Sequence, residues 1–115
     1  MVKKEKVQIV KNLAGGKGEA KVYNIASLEE LHGAAKLYAK VVLPPGASVG
    51  WHQHKGETEP YYILSGEGTF IDNDKSKTTV TKGDICVIND GDHHSIENNS
   101  NADLEFMALI YNLIK

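Results

Sequence analysis

Gly46-Ala-Ser-Val-Gly-Trp-His52-Gln-His54-Lys-Gly-Glu57-Thr-Glu59 places two histidines and two glutamates in one short run. On a β-strand, residues i and i+2 point to the same face. His52 and His54 therefore look one way, while Trp51 and Gln53 look the other. Lys55-Gly-Glu-Thr58 turns the chain, so Glu59 can return to the same place from the start of the next strand. About forty residues on, Gly83-Asp-Ile-Cys-Val-Ile-Asn89-Asp-Gly91-Asp-His93-His94-Ser-Ile-Glu-Asn98 supplies another histidine, His94, just after a turn. Three neutral imidazoles and one carboxylate suit a divalent transition metal and leave two positions open in an octahedral site. Open positions admit water or a substrate, and so permit chemistry. Bringing the two stretches together requires a fold that sets distant hairpins face to face.

The rest of the chain fits such a fold. Val7–Val10, Ala20–Ile25, Lys36–Leu43, Pro60–Leu64, Gly68–Ile71, Thr78–Thr81, Asp84–Ile88, Ser95–Glu97 and Leu104–Leu113 read as strands. They are separated by turn-forming clusters such as Pro44-Pro45-Gly46, Asp72-Asn73-Asp74 and Asn98-Asn99-Ser100-Asn101. Short, evenly spaced strands predict an all-β sandwich or barrel. Ser27-Leu-Glu-Glu30 has the capping-box pattern and predicts a helix of about a turn and a half, ended by Gly33. The last strand is apolar on both faces after Glu105, so one face is expected to meet the core and the other a second sheet or a second subunit. A homodimer is expected, and the Val7–Val10 strand could cross to the partner.

At 115 residues the chain is expected to be a single domain, with a barrel core over about 36–114 and an N-terminal arm and strands over 1–35. Its formal net charge is −2, which gives no reason to expect nucleic acid or an anionic membrane as a partner. All 13 basic residues are lysines, and there is no arginine to clamp a carboxylate through two parallel hydrogen bonds. One cysteine, Cys86, excludes an intrachain disulfide and suits a reducing compartment. No apolar run follows the first residues and none approaches the ~20 residues of a membrane span, so a cytoplasmic protein is expected.

The two stretches also resemble the signature motifs of the cupin superfamily. The first reads Gly46-x5-His52-x-His54-x4-Glu59-x6-Gly66. The second reads Gly83-x5-Asn89-x-Gly91-x2-His94-x3-Asn98, with Asn89 where the family usually has proline. The resemblance implies a double-stranded β-helix, the jelly-roll barrel. It also implies His52, His54, Glu59 and His94 as ligands to one divalent transition metal per chain, from a set that includes manganese, iron, nickel, zinc, cobalt and copper.

Other residues near the motifs have more than one reading. Glu57 shares parity with Glu59 and reads as an alternative ligand, a general base or a solvated turn residue. Tyr61 faces the cavity if alternation holds from Glu59. Its hydroxyl could bond a metal-bound ligand or simply be satisfied within the packing. His93 points away from His94, either exposed or gating the barrel mouth. Glu57, Tyr61 and His93 are the candidates for moving a proton. Trp51 is expected in the core or an interface, and Cys86 as a small buried hydrophobe. The first functional expectation is a metal-dependent enzyme acting on a small carboxylate or oxo-acid, through oxalate-type, isomerase, lyase or dioxygenase chemistry. The alternative is a cupin that binds or senses a small anionic ligand through its metal without turnover. No fold selects between these, because function resides in the site.

Overall fold

The computed structural model describes residues 1–114. Eleven strands run in chain order: β1 (Lys6–Lys11), β2 (Glu19–Asn24), β3 (Ala35–Leu43), β4 (Ser48–Gln53), β5 (Glu57–Thr58), β6 (Tyr61–Ser65), β7 (Glu67–Ile71), β8 (Lys77–Thr81), β9 (Ile85–Cys86), β10 (His93–Glu97) and β11 (Leu104–Asn112). One sheet has the order β1-β2-β3-β11-β6-β9, with β5 also paired to β11. The other has the order β4-β10-β7-β8. All the pairings are antiparallel. The two sheets face each other as the walls of the expected double-stranded barrel. The sequence reading did not give β5 as a strand. It has only two residues, too few to show a period.

The core lies between the walls. Ala39, Val41 and Leu43 of β3 and Phe106 and Ala108 of β11 come from the larger sheet; Val49, Phe70 and Ile96 come from the smaller one. Phe106 is fully buried, and burying a side chain of this size contributes ~1.5–3 kcal/mol. Alternation explains the burial along β11: Leu104, Phe106 and Ala108 point in, while Met107, Leu109 and Tyr111 point out. The outward set meets solvent beside Tyr38, Tyr62 and Ile85, which are also exposed.

Asn98 ties the far end of the barrel together. Its side-chain amide donates to the carbonyls of Leu43 and Ala102, each at 2.8 Å, and its oxygen accepts from the Ser100 hydroxyl at 2.7 Å. A fully buried carboxamide is tolerated because its polar atoms are satisfied. The four glycines of the motifs, Gly46, Gly66, Gly83 and Gly91, all have positive φ. At Gly66 a Cβ would also lie 2.2 Å from the Asp103 carbonyl oxygen, so this position excludes a side chain on two grounds.

Two expectations are corrected here. Ser27–Gly33 is a run of turns, not a helix. The reciprocal bonds of the capping box do form: Ser27 N–H donates to Glu30 Oε1 and Glu30 N–H to Ser27 Oγ. His32 and Gly33 then take positive φ, which stops any helix from propagating. Trp51 is not core. It is 39% exposed on the outer face, stacked on His93 with ring centroids 5.4 Å apart.

Candidate metal centre

The four motif residues converge. His52 and His94 sit directly opposite each other on β4 and β10. His54 lies just past the end of β4, where its backbone still bonds the carbonyl of Asp92 and the amide of Gly91. Glu59 precedes β6. His52, His54, Glu59 and His94 each offer one ligand atom, all within 4.8 Å of one another. The Nε2 atoms of His54, His94 and His52 lie 3.0, 3.1 and 3.4 Å from the same oxygen, Glu59 Oε1. A bulge in β4 makes this possible. Between the pairs His94–His52 and Ile96–Val49, β4 uses three residues for two of β10. The extra residue lets Val49 and His52 face the interior together.

Hydrogen bonds behind the imidazoles choose their tautomers. His52 Nδ1–H donates to the Gly50 carbonyl at 2.6 Å, and His54 Nδ1–H to Glu57 Oε2 at 2.5 Å. Both rings therefore aim Nε2 inward. His94 Nε2 also faces His52 Nε2 at 3.1 Å, while His94 Nδ1 is buried without a partner among the described residues. Lone pairs converging at these distances repel unless a proton or a metal cation lies between them. The fit to a metal is good on this ground: three nitrogens and one oxygen, pre-aimed, with two rings oriented from behind.

The charges point the same way. Burial pushes the Glu59 carboxyl up, but when protons on Nε2 stand where a cation would, bonds from the three imidazoles outweigh it and hold the group well below the usual carboxylate range. The bond to Glu59 raises the His54 imidazole against the opposing effect of burial, and Glu57 adds to the rise. Burial lowers the His94 imidazole. The pocket thus holds a fixed negative charge on Glu59, a setting that stabilises a cation.

The other sequence candidates are placed as follows. Glu57 is not a solvated turn residue. It is buried, with one oxygen on His54 Nδ1 and the other on Lys36 Nζ. These bonds outweigh burial and hold its carboxyl below the ordinary value. It stands behind His54 and does not line the cavity. Tyr61 does line it. Its hydroxyl donates to Glu59 Oε1 at 3.2 Å, and its ring stacks on His94 with centroids 5.0 Å apart. Burial, with Glu59 adjacent, pushes the phenol well above its ordinary value. His93 is on the opposite face of β10, against Trp51. Cys86 is buried and unpaired, its thiol pushed up to about 12 by burial.

The sequence reading did not single out Lys36 in this role. In the β3–β11 ladder, Ile110 pairs with Leu37 and Tyr111 with Ala35, so Lys36 is the extra residue of a bulge and is re-aimed towards Glu57. No local pattern signals this. Two more unremarked residues, Gln8 and Asn24, line the cavity with the ligands. Their signal was available: Gln8 shares parity with Val10 and Asn24 with Val22, both inward-facing positions. The cavity has a volume of about 290 Å³ and an otherwise apolar wall that includes Val22, Val41, Val49 and Phe106.

The cupin-domain family profile matches residues 39–110, well over half of the chain and all four cluster positions. The chain belongs to the cupin family. It is 50% identical over 101 residues to an oxalate-binding protein of Thermotoga maritima, covering 88% of this cupin and 83% of that protein. It is also similar to the crystal structure of a predicted oxalate decarboxylase from Thermotoga maritima, with a TM-score of 0.92 at 46% identity over 98% of this chain and 100% of that one. A polyketide cyclase from Streptomyces resistomycificus superposes with a TM-score of 0.76 at 18% identity, over 100% of this chain and 87% of that one. This last likeness bears on the fold alone.

Proposed function

We propose that this cupin binds a small dicarboxylate or oxo-acid of the oxalate type through one divalent transition metal held by His52, His54, Glu59 and His94. The observation that carries the reading is the cluster itself: three converging imidazoles and a carboxylate, of which His52, His54 and Glu59 line a pocket that opens to solvent. The name of the Thermotoga maritima relative, an oxalate-binding protein at 50% identity, supports the same ligand class. A bound metal with open positions would supply Lewis-acid attraction for the ligand's oxygens. The metal belongs to the manganese, iron, nickel, zinc, cobalt group.

Binding without turnover fits the pocket better than catalysis does. Removing carbon dioxide from an acid, or isomerising it, requires a group that delivers or removes a proton at the reacting atom. Apart from the cluster, the polar side chains lining the cavity are Gln8, Asn24 and Tyr61. Carboxamides do not titrate. The Tyr61 proton is committed to Glu59, and its phenol is held well above the ordinary value. Glu57 lies behind His54, and His93 lies outside the barrel. The second reading is an enzyme with Tyr61 as the proton donor. It is favoured by the one titratable hydroxyl that both lines the pocket and touches Glu59.

The experiment is elemental analysis of protein purified without added metal, then calorimetric titration of oxalate into the metal-loaded protein, with product analysis by NMR. About one metal per chain, saturable oxalate binding and unchanged oxalate support the binding reading. Formate or carbon dioxide in amounts exceeding the protein would move the function to the enzyme reading. Failure to take up any of these metals would end both.

We further propose that two copies associate through the outward apolar face of β11 with Tyr38, Tyr62 and Ile85. The compartment we propose is the reducing cytoplasm, which suits the unpaired Cys86. No helix among the described residues is long and apolar enough to cross a membrane.

A further inference from the structure

Gln8 on β1 and Asn24 on β2 stand on the inner face of the barrel wall. In the β1–β2 ladder Gln8 pairs with Val22 and Asn24 with Lys6, so the two amides are diagonal neighbours on one face. The same face of these strands also carries Lys6, opposite Asn24 at the open end, and Val10, Val22 and Ala20, which pack against or within the core. Both side chains are solvent-exposed, line the cavity and have no hydrogen-bond partner among the described residues, so their amides are free to meet a ligand.

A ligand held at the metal by one carboxylate has a second end to satisfy. The chain has no arginine. The histidines and Glu59 are committed to the floor of the cavity, the Tyr61 hydroxyl to Glu59, and the remaining wall is apolar. Among the residues lining the cavity, a charged or carbonyl oxygen directed towards the mouth would therefore find hydrogen-bond donors in the two amide NH₂ groups. These amides are also where the cavity meets a cleft lined by Lys3, Lys4, Lys6 and Lys36, since Gln8 and Asn24 border both spaces. An anion arriving through that cleft passes the amides before it reaches the floor. Neither residue lies within the part of the chain matched by the family profile, which begins at residue 39.

We infer that Gln8 and Asn24 form the second anchor of the ligand site, donating hydrogen bonds to the metal-distal oxygens of a small dicarboxylate or oxo-acid. This rests on the reading of the floor as a metal-held acid site. It assigns ligand selection to the N-terminal strands: the metal takes one carboxylate, and the amides sense whether a second oxygen group is present and how far away it lies.

The test uses the full chain loaded with cobalt(II) or manganese(II), titrated calorimetrically with oxalate, malonate, succinate and acetate. Metal affinity is measured separately by competition. The double variant Gln8→Leu, Asn24→Leu should load metal as the parent does. It should lose about tenfold or more in affinity for the dicarboxylate that the parent binds best, as expected for losing bonds to a charged group. Its affinity for acetate, which has no distal oxygen group, should stay within about twofold. Gln8→Glu keeps the volume and adds like charge, and should weaken dicarboxylates while sparing metal loading. Dicarboxylate affinities within about twofold of the parent in both variants would overturn the anchor. So would loss of metal in the double variant, because the amides would then be structural. If the parent itself binds none of the acids, the floor reading fails and the anchor falls with it. That failure is visible without any variant.

Discussion

His93 and His94 are adjacent in sequence and opposite in role. His94 points into the cluster with Nε2 3.1 Å from Glu59 Oε1, while His93 stacks on Trp51 outside. His94→Ala should weaken metal binding by more than the roughly 10–100-fold that losing a supporting group costs. His93→Ala should leave metal affinity unchanged. Competitive metal titration of both variants checks this, and the reverse result would put the second motif one residue out of register. Glu57 is such a supporting group. It accepts the Nδ1–H hydrogen bond of His54 and is itself held by Lys36. Glu57→Ala should lower metal affinity roughly 10–100-fold, with Glu57→Gln between it and the parent because an amide oxygen still accepts the bond. Equal affinities in all three proteins would show that His54 orients itself without help.

Among the elements, β4 depends on a close approach. The 3-10 turn Leu13–Gly15 packs directly onto β4. A Cβ at Gly50 would lie 2.3 Å from the Ala14 carbonyl oxygen and 2.6 Å from the Gly16 amide nitrogen. These are backbone atoms and cannot swing aside. The turn supplies Leu13 and Ala14 to the cavity wall, and the Gly50 carbonyl accepts the His52 bond. Gly50→Ala should therefore destabilise the protein by about 1–3 kcal/mol through overpacking. The check is the midpoint of urea unfolding; no shift would mean that the turn relaxes away freely.

At the level of the molecule, charge and apolar surface are unevenly spread. The net charge is −2, yet Lys3, Lys4, Lys6 and Lys36 against Glu5 line the cleft that adjoins the pocket. Long-range attraction of an anion to such a cleft is screened by salt. The association rate of oxalate with the metal-loaded protein should fall roughly tenfold between about 0.01 and about 1 M salt, with a smaller change in dissociation rate. Stopped-flow kinetics measures both. The outward face of β11 gives the other prediction. Tyr62 is 47% exposed and Ile85 66% exposed on that face. Light scattering should give the mass of a dimer for the parent and of a monomer for Tyr62→Glu, with metal binding retained. A monomeric parent would refute the dimer.

What the amino-acid sequence determined by itself was whatever follows from short-range periodicity and turn chemistry. Alternation picked out nearly every strand and the shared inward parity of His52 and His54, because side chains alternate strictly while a strand stays regular. The spacing of Gly46–Gly66 and Gly83–Asn98 brought out the four cluster residues and the barrel. Tertiary structure alone decided what happens where that regularity breaks. The bulge at Lys36 turns it towards Glu57, and the turn before Glu57 buries a residue that reads as solvated. Trp51 remains outside because no second layer of this chain covers it. Ser27–Gly33 makes its capping bonds without becoming a helix, since two left-handed residues follow at once. Gln8 and Asn24 gain their place only because β1 and β2 close the wall of a cavity whose floor is built far along the chain. Local pattern says which way a side chain points, but what it meets there is set by strands brought together from distant parts of the sequence.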